Sequence, residues 1–326
     1  MSESLEHGFV RVCEMAAVAA AHTMGYGDRK HSDHVAVEAM REELDKITMR
    51  GRIVIGEGER DKAPMLYVGE EVGALKGQEQ GLEVDIAVDP LEGTNLCATG
   101  TEGAIAVLAA SEKGGLLHAP DIYMDKIVVG PTARHAVIHL DAPPAENLRS
   151  VAEAYGRAVS DLTVVVLDRE RHEELIADIR AAGARIRLIQ DGDLSAGIAA
   201  AVRGTGIHAV MGIGGAPEGV LTAAAMRCLG GQIHARLTPL SPEQEQRLVD
   251  LEIDDVDRIY RRSDLAPGDN LLFCCTGITD GQLLKGIRFF GGGYRSSTLF
   301  MSLERSLIRF VDSIRRDETD TPVLFQ

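Results

Sequence analysis

Short apolar runs alternate with helical patterns between residues 163 and 229, and this alternation constrains the fold more than any other feature of the sequence. The predicted elements, in chain order, are strand Thr163–Leu167, helix Glu173–Ala182, strand Arg185–Ile189, helix Leu194–Val202, strand His208–Met211 and helix Glu218–Leu229. Such alternation is typical of α/β layer folds with a largely parallel sheet. We therefore predict an α/β fold.

The rest of the chain is predicted to add two N-terminal helices and several buried strands. Apolar residues recur at helical spacing from Leu5 to His22, and again after Ser32 and Asp33, either of which can cap the second helix. Short apolar runs bounded by Gly, Asp or Ser predict strands. These runs are Arg52–Ile55, Val84–Val88, Ala104–Leu108, Asn270–Cys275, Leu299–Leu303 and Leu307–Val311.

The clearest candidate for a domain boundary is the segment Asp141-Ala142-Pro143-Pro144-Ala145. Consecutive prolines interrupt both helix formation and strand pairing. At 326 residues with 45% hydrophobic content, the chain can bury one large core or two ordinary ones. We therefore predict two lobes, residues 1–145 and 146–326.

Charge and cysteine content exclude several classes of function. The net charge of −16 disfavours binding to nucleic acid or to anionic membranes. No apolar run approaches the ~20 residues that span a bilayer, and the N-terminus lacks a signal-peptide pattern. The five cysteines lack C-x-x-C spacing, which fits a reducing compartment. We expect a cytoplasmic protein, and we leave open whether Cys97 confers redox sensitivity.

The segment Asp89-Pro90-Leu91-Glu92-Gly93-Thr94 is the strongest candidate for a site that carries chemistry. Asp89 follows a predicted strand, which Pro90 is expected to end because proline has no N–H for the ladder. Asp89 would then lie at the carboxyl edge of the sheet, where α/β folds bind ligands. Glu92 adds a second hard oxygen ligand for Mg²⁺ or Mn²⁺, and Gly93 and Thr94 suit a bound phosphate. Taken alone, such a motif can also be a solvated acidic turn.

Two further acidic segments follow predicted strands. The glycine-containing loop after Arg52–Ile55 carries Glu57, Glu59 and Asp61, and could complete a metal site with Asp89 and Glu92. The segment Asp191-Gly192-Asp193 offers acceptors for the hydroxyl groups of a sugar. Asp193 is equally well placed to cap the next helix, so both interpretations stay open.

Three blocks of the sequence resemble those of class II (GlpX-type) fructose-1,6-bisphosphatases. They are Ile55-Gly56-Glu57-Gly58-Glu59, the stretch from Asp85 to Thr94, and Gly212-Ile213-Gly214-Gly215-Ala216-Pro217-Glu218-Gly219-Val220. The D-P-x-E-G-T unit is shared with the wider lithium-sensitive phosphatases, which include inositol monophosphatases. The Gly-Gly-Ala-Pro-Glu-Gly block is narrower and favours class II. The order and spacing of the blocks match over nearly the whole chain.

The resemblance implies a role for each matching position. Metal ligands would be Asp33, Glu57, Asp89, Glu92 and Glu218, although an acid at the position of Glu218 also complements a helix dipole. Thr94 would orient or help to deprotonate the attacking water, assisted by Asp61. Substrate contacts would come from Glu92, Gly93, Thr94, Tyr123, Arg169, Glu170, Arg171, Asp191, Gly192, Asp193 and Gly215. Glu170 departs from the family pattern, which often reads Lys-Pro-Arg-His over residues 169–172, and places an acid beside the presumed phosphate clamp.

The resemblance also implies an overall architecture and a reaction. The fold would be an FBPase-like layered αβαβα sandwich in two lobes, with a metal-binding phosphatase lobe over residues 1–145 and a sugar-phosphate-binding lobe over 146–326. The protein would be a homotetramer that uses Mn²⁺ or Mg²⁺ to convert fructose 1,6-bisphosphate to fructose 6-phosphate and phosphate. The alternatives are a dual fructose-1,6-/sedoheptulose-1,7-bisphosphatase, an inositol-monophosphatase-like enzyme, and a non-catalytic sugar-phosphate-binding regulator. The complete set of ligand residues speaks against the last.

Overall fold

The computed structural model describes residues 3–58, 65–250, 253 and 255–317, which form helices and two mixed β-sheets. The helices are α1 Glu3–Ala21, α2 Arg29–Leu44, α3 Thr94–Thr99, α4 Pro144–Tyr155, α5 Glu173–Ala181, α6 Asp193–Ala201, α7 Ala216–Leu229, α8 Pro242–Asp250 and α9 Arg262–Leu265. The strands are β1 Arg50–Ile55, β2 Glu71–Val72, β3 Glu83–Glu92, β4 Ile105–Glu112, β5 Tyr123–Val129, β6 Thr163–Leu167, β7 Arg185–Ile189, β8 Ala209–Gly215, β9 Gln232–Leu237, β10 Tyr260–Arg261, β11 Leu272–Gly277, β12 Arg288–Phe290, β13 Gly293–Ser302 and β14 Leu307–Arg316.

The first sheet has the order β12-β13-β11-β4-β3-β1-β2, and β14 pairs with β13. Its parallel pair is β1 with β3. The second sheet has the order β10-β9-β5-β8-β6-β7 and is parallel only where β6 pairs with β7 and with β8. The prediction of a largely parallel sheet therefore holds only for the segment in which strands and helices alternate. β5 and β9 come from outside that segment: β5 pairs antiparallel to β8, and β9 pairs antiparallel to β5.

Three apolar cores separate the elements into layers. The first core packs α1 and α2, through residues such as Phe9 and Met40, against one face of the first sheet. The central core contains α6 and α7 and receives side chains from both sheets. The third core packs α4 and α5 against the outer face of the second sheet. This order of helix, sheet, helix, sheet, helix confirms the predicted αβαβα sandwich.

The start of α2 differs from the prediction that Ser32 or Asp33 caps the helix. The N-cap is Asp28, whose side chain accepts a hydrogen bond from the backbone N–H of His31 at 3.0 Å. The helix begins earlier than the apolar pattern indicates, because its first three residues, 29–31, are polar and exposed. As a consequence, Asp33 lies within the helix, with its carboxylate free for another role.

The prediction that Pro90 ends its strand is also wrong. β3 continues to Glu92, but its register against β4 shifts between Asp89 and Glu92. Proline lacks the N–H that would donate to the neighbouring strand, and the register shifts locally at this point. The pairing resumes where Glu92 lies opposite Ile105. Both carboxylates therefore sit on one strand, on either side of that irregularity.

The predicted boundary at residues 141–145 leads into α4. β5 precedes this segment and belongs to the second sheet, whereas β11 to β14 follow it and belong to the first. The division into lobes 1–145 and 146–326 stays a prediction.

None of the helices that the structure describes combines the length and apolar character needed to cross a membrane.

Candidate active site

A cavity of about 270 Å³, here called the carboxylate cavity, opens where the ends of β1 and β3 meet the start of α7. Its lining residues are Asp33, Gly56, Glu57, Gly58, Val88, Asp89, Leu91, Glu92, Gly93, Thr94, Asp121, Asp191, Pro217, Glu218 and Leu221. All five residues predicted as metal ligands are among them. Two helices, one strand and the loop after β1, all far apart in sequence, thus deliver these acidic side chains to one space.

Asp89, Glu92 and Glu218 form the centre of this cavity. One carboxylate oxygen from each lies within 4.8 Å of the others. Asp89 Oδ1 accepts a hydrogen bond from Leu91 N–H, and Glu92 Oε1 accepts one from Leu194 N–H, both at 3.1 Å. Glu218 Oε2 is buried and has no hydrogen-bond partner within the described residues. A buried carboxylate oxygen without a donor is costly and fits a site that holds a cation.

The electrostatics of the cavity point in the same direction. Burial, followed by the charge of Glu218, raises the pKa of Asp89 to about 7. Burial, followed by the charge of Asp89, holds the pKa of Glu92 well above its usual value. Burial likewise raises the pKa of Asp33, Glu57 and Glu218. A divalent cation would relieve this repulsion, and the described lining offers carboxylates without His or Cys, a donor set that suits Mg²⁺ or Mn²⁺.

Gly93 and Thr94 form the turn between β3 and α3. Gly93 adopts a left-handed conformation with φ 86°, which side chains disfavour. The turn places the Thr94 hydroxyl to donate to Leu91 O at 3.2 Å. Because its proton is used in this way, the Thr94 oxygen is left as an acceptor.

The Asp191–Asp193 segment lies between the two sheets. The Asp191 carboxylate accepts a hydrogen bond from Asn95 Nδ2 at 3.0 Å and lines the carboxylate cavity. Gly192, with φ 85°, is the N-cap of α6, and Asp193 is the first helical residue. The helix-cap interpretation of Asp193 is therefore wrong, because its carboxylate instead contacts Lys126 Nζ at 2.7 Å.

Lys126 is a residue that the sequence prediction missed. It is 4% exposed on β5, and it also donates to Gly215 O at 3.0 Å. Its positive charge lowers the pKa of Glu218, against the larger effect of burial. Gly215 lies so close to Glu218 that a Cβ atom there would collide with the carboxylate. The signal for Lys126 was a lone lysine within the apolar run Tyr123–Val129.

The residues predicted to clamp a remote phosphate lie at the end of β8, next to the carboxylate cavity. Arg171 donates through Nε and Nη2 to Ile213 O, at 3.2 and 2.8 Å, and its guanidinium lies 4.8 Å from the centre of the Tyr123 ring. Tyr123 in turn pairs with Gly215 across the sheet. Arg169 donates to the carbonyls of Asp168 and Gln190. The two arginines are therefore fixed by backbone contacts, with donors to spare.

His172 organises this region and was not predicted. It is 1% exposed; its Nδ1 donates to Leu167 O, and its Nε2 accepts from Ile213 N–H, both at 2.7 Å. Burial lowers the pKa of His172, which favours the neutral ring that this pairing requires. The ring thereby joins the end of β6 to β8 and orients the carbonyl that Arg171 contacts.

Other predicted positions fall elsewhere. Asp61 and Glu59 lie outside the described residues. Glu170 is exposed, in the short helical turn Glu170–His172. Asp121 lines the carboxylate cavity although it was not predicted as a site residue, and its charge is one of those that raise the pKa of Glu218.

The raised pKa of Asp89 predicts how the metal-free protein responds to pH. The pKa of Asp89 is 3.8 in its ordinary state and about 7 in the folded protein. The contribution of the protonated Asp89 to the free energy of unfolding is therefore fully present below about pH 4 and is lost as the pH rises towards 7. Asp89→Asn removes the charge and should raise Tm above that of wild type at pH 8 in chelator, with the gap narrowing towards pH 4. Each kcal/mol corresponds to roughly 2–4 °C. Scanning calorimetry across this range tests it; a gap that does not change with pH would show that Asp89 is not strained.

Known proteins resemble this chain over nearly its whole length. The family model of bacterial fructose-1,6-bisphosphatase, glpX-encoded, matches residues 3–315. A protein of Synechococcus sp. (strain JA-3-3Ab) named D-fructose 1,6-bisphosphatase class 2/sedoheptulose 1,7-bisphosphatase is 54% identical over 99% of this chain and 98% of its own length. A protein of the same name from Crocosphaera subtropica is 51% identical over 98% of both chains. Among solved structures, the extragenic suppressor protein SuhB of Bartonella henselae covers 61% of this chain and 74% of its own at 13% identity, with a TM-score of 0.35.

Proposed function

This chain belongs to the family of bacterial, glpX-encoded fructose-1,6-bisphosphatases, and on that basis we propose that it hydrolyses the 1-phosphate of fructose 1,6-bisphosphate in the carboxylate cavity. The observation that carries the proposal is the group Asp89, Glu92 and Glu218 within 4.8 Å, with a buried oxygen of Glu218 lacking a partner, beside the Thr94 hydroxyl. This arrangement suits a cation-assisted attack of water on a phosphate monoester.

The cation would be held by Asp89, Glu92 and Glu218, with Asp33 and Glu57 close by. When bound, Mg²⁺ or Mn²⁺ supplies charge stabilisation for the phosphoryl oxygens and makes water more acidic.

The protein's own groups position the other participants. The Thr94 hydroxyl donates a hydrogen bond to Leu91 O, so its oxygen accepts a hydrogen bond from the incoming water and orients that water towards phosphorus. Asp191, fixed by Asn95, accepts hydrogen bonds from sugar hydroxyls. No covalent phosphoenzyme is needed, because water itself can attack in line. The products are fructose 6-phosphate and phosphate.

Thr94→Ala should lower kcat roughly 100-fold with little change in KM, because orientation of the water matters mainly in the transition state. Thr94→Ser is the matched control, since it keeps the hydroxyl and should retain most activity. Steady-state phosphate release measures both. An unchanged kcat in the alanine variant would reduce Thr94 to a structural residue of the β3 turn.

The remote 6-phosphate is assigned to Arg171, Arg169 and Tyr123. Arg171 uses Nε and Nη2 on Ile213 O, which leaves Nη1 to donate to a phosphate. Arg171→Ala should raise KM for fructose 1,6-bisphosphate about tenfold or more with a smaller effect on kcat, because the contact is made in ground and transition states alike.

Two controls sharpen this test. Hydrolysis of a generic monophosphate should be nearly untouched in Arg171→Ala, since that substrate does not reach the remote pocket. Arg171→Lys keeps the charge but not the planar fork, so its KM for fructose 1,6-bisphosphate should lie between those of wild type and Arg171→Ala. Equal losses on both substrates would mean that Arg171 supports the fold or the metal ligands instead.

A dual activity is the second candidate function. Several relatives carry names that include sedoheptulose 1,7-bisphosphatase, and that substrate differs by one carbon in the sugar, so the same carboxylates can serve it. A phosphate-release panel with Mg²⁺ and Mn²⁺ over fructose 1,6-bisphosphate, sedoheptulose 1,7-bisphosphate and inositol 1-phosphate tests all of these proposals. Turnover of inositol 1-phosphate alone would contradict them.

We further propose a cytoplasmic homotetramer. The strand β14 supports association because Ile308, Phe310 and Ile314 project from one face at alternating positions and are 47%, 56% and 36% exposed. Exposed apolar rows of this kind mark interaction surfaces.

A further inference from the structure

A second cavity, of about 740 Å³, lies at the opposite end of β6, β8 and α6 from the carboxylate cavity. Thr163 begins β6, His208 immediately precedes β8, and Ala201 ends α6, and all three line this space. The carboxylate cavity and the Arg171 contact proposed for the 6-phosphate lie at the other ends of these elements, near Asp193 and Gly215. The two cavities are therefore separate, and nothing in the proposed reaction uses the second.

The charged residues that line the second cavity are all arginines. Arg157, Arg185 and Arg203 line it, and within the described part of the chain no carboxylate does. Arg185 donates to the backbone carbonyl of Asp161, and none of the three guanidinium groups forms an ion pair with a described carboxylate. Three arginines without a described carboxylate partner thus surround one cavity in a chain whose net charge is −16.

His208 shows that this cavity lacks an acceptor. The residue is 6% exposed, and its backbone N–H donates to Thr163 O while its ring Nδ1 accepts from Thr163 N–H, both at 3.0 Å. Because Nδ1 accepts, the neutral ring carries its proton on Nε2. Arg157 Nη1 lies 3.4 Å from that Nε2. Arginine can only donate, so two donors face each other with no acceptor between them.

The charge state of His208 agrees with this geometry. Burial, followed by the charges of Arg157 and Arg185, lowers the pKa of His208, whereas the hydrogen bond with the Thr163 backbone and the charge of Asp161 raise it by less. The ring is therefore neutral near pH 7, and its Nε2–H is a fixed donor. Adjacent donors of this kind are satisfied by an anion that accepts from both.

We propose that this second cavity binds the phosphate group of a phosphorylated small molecule. A phosphate has enough acceptor oxygens to take donors from Arg157, Arg185 and the His208 ring together, whereas a carboxylate offers only two oxygens. The volume lies within the roughly 300–1,000 Å³ typical of small-molecule sites, so the cavity has room for an organic portion beside the phosphate. Tyr155, whose ring meets His208 edge-on at 4.9 Å, provides an aromatic wall for it.

Isothermal titration calorimetry with inorganic phosphate tests the proposal. The protein is kept in EDTA, where the carboxylate cavity repels anions, and ionic strength is held constant with chloride. We expect wild type to bind one phosphate per chain. Arg157→Gln and Arg185→Gln should each raise the Kd for phosphate about tenfold or more. Both residues are exposed, so these variants should fold like wild type. Arg149→Gln, an exposed arginine on α4 outside the cavity, is the matched control and should bind as wild type does.

Asp89→Asn separates the two cavities, because it alters only the carboxylate cavity and should leave phosphate binding in EDTA unchanged. The proposal is overturned if wild type binds no phosphate, or if Arg157→Gln and Arg185→Gln bind as wild type does. A change of affinity in Asp89→Asn alone would also overturn it, since the anion would then occupy the carboxylate cavity. None of these outcomes depends on catalytic turnover, so the result is independent of the proposed reaction.

Discussion

Asp89→Asn should lower kcat for fructose 1,6-bisphosphate by about three orders of magnitude and still fold. The amide keeps the shape of the carboxylate but removes a ligand charge from the group within 4.8 Å of Glu92 and Glu218. Loss of cation-derived charge stabilisation in the transition state is worth several kcal/mol, and about 4 kcal/mol corresponds to this factor. Phosphate release under saturating Mn²⁺ measures it.

Misfolding is separated from loss of chemistry by stability and by a control. The same variant should be more stable than wild type above pH 7 in chelator, because the raised pKa of Asp89 marks a charge that the fold opposes. Asp178→Asn, an exposed position on α5, should keep full activity. If Asp89→Asn turns over at the wild-type rate, the site has been misplaced.

Removal of divalent cations should abolish activity, and Mn²⁺ or Mg²⁺ should restore it. The carboxylates of the cavity raise one another's pKa and include a buried Glu218 oxygen without a described partner, so the empty site is unfavourable. Dialysis against EDTA followed by readdition of each metal, with phosphate release as the readout, measures the effect.

Binding itself gives a second readout for this prediction. A cation that binds only the folded state raises Tm as its concentration increases. Mn²⁺ should therefore raise the Tm of wild type at pH 8 and do so much less in Asp89→Asn. Full turnover in chelator would disprove the metal assignment, whatever the stability data show.

The parts of the fold that could be predicted are those set by local pattern. Alternating strand and helix signals placed β6, α5, β7, α6, β8 and α7 correctly within a few residues. The return of β11 to β14 to the first sheet and the antiparallel entry of β5 depend on pairing between distant segments. Neither carries a local signal, which explains why the second sheet was expected to be more parallel than it is.

The residues of the candidate site likewise divide into those indicated by a local motif and those that depend on the tertiary fold. Asp89, Glu92 and Thr94 were placed in the candidate site because one short motif follows a predicted strand, and Glu57 because its acidic loop follows another. Asp33 and Glu218 were named from family resemblance, since only the tertiary fold brings α2 and α7 to the same cavity.

Lys126 and His172 escaped prediction because each is a buried polar group within an otherwise ordinary segment. Their importance depends on partners that are distant in sequence, Asp193 for the lysine and Ile213 for the histidine. The second cavity escaped for the same reason, because the pairing of His208 with Thr163 is visible only in three dimensions.

The carboxylate cavity is the proposed site at which the 1-phosphate of fructose 1,6-bisphosphate is removed. Coupled detection of fructose 6-phosphate, with parallel measurement of phosphate in Mn²⁺ and in EDTA, tests it most directly. We expect equal amounts of fructose 6-phosphate and phosphate in Mn²⁺, and neither in EDTA. Formation of fructose 1-phosphate instead, or no product with any divalent cation, would contradict the account.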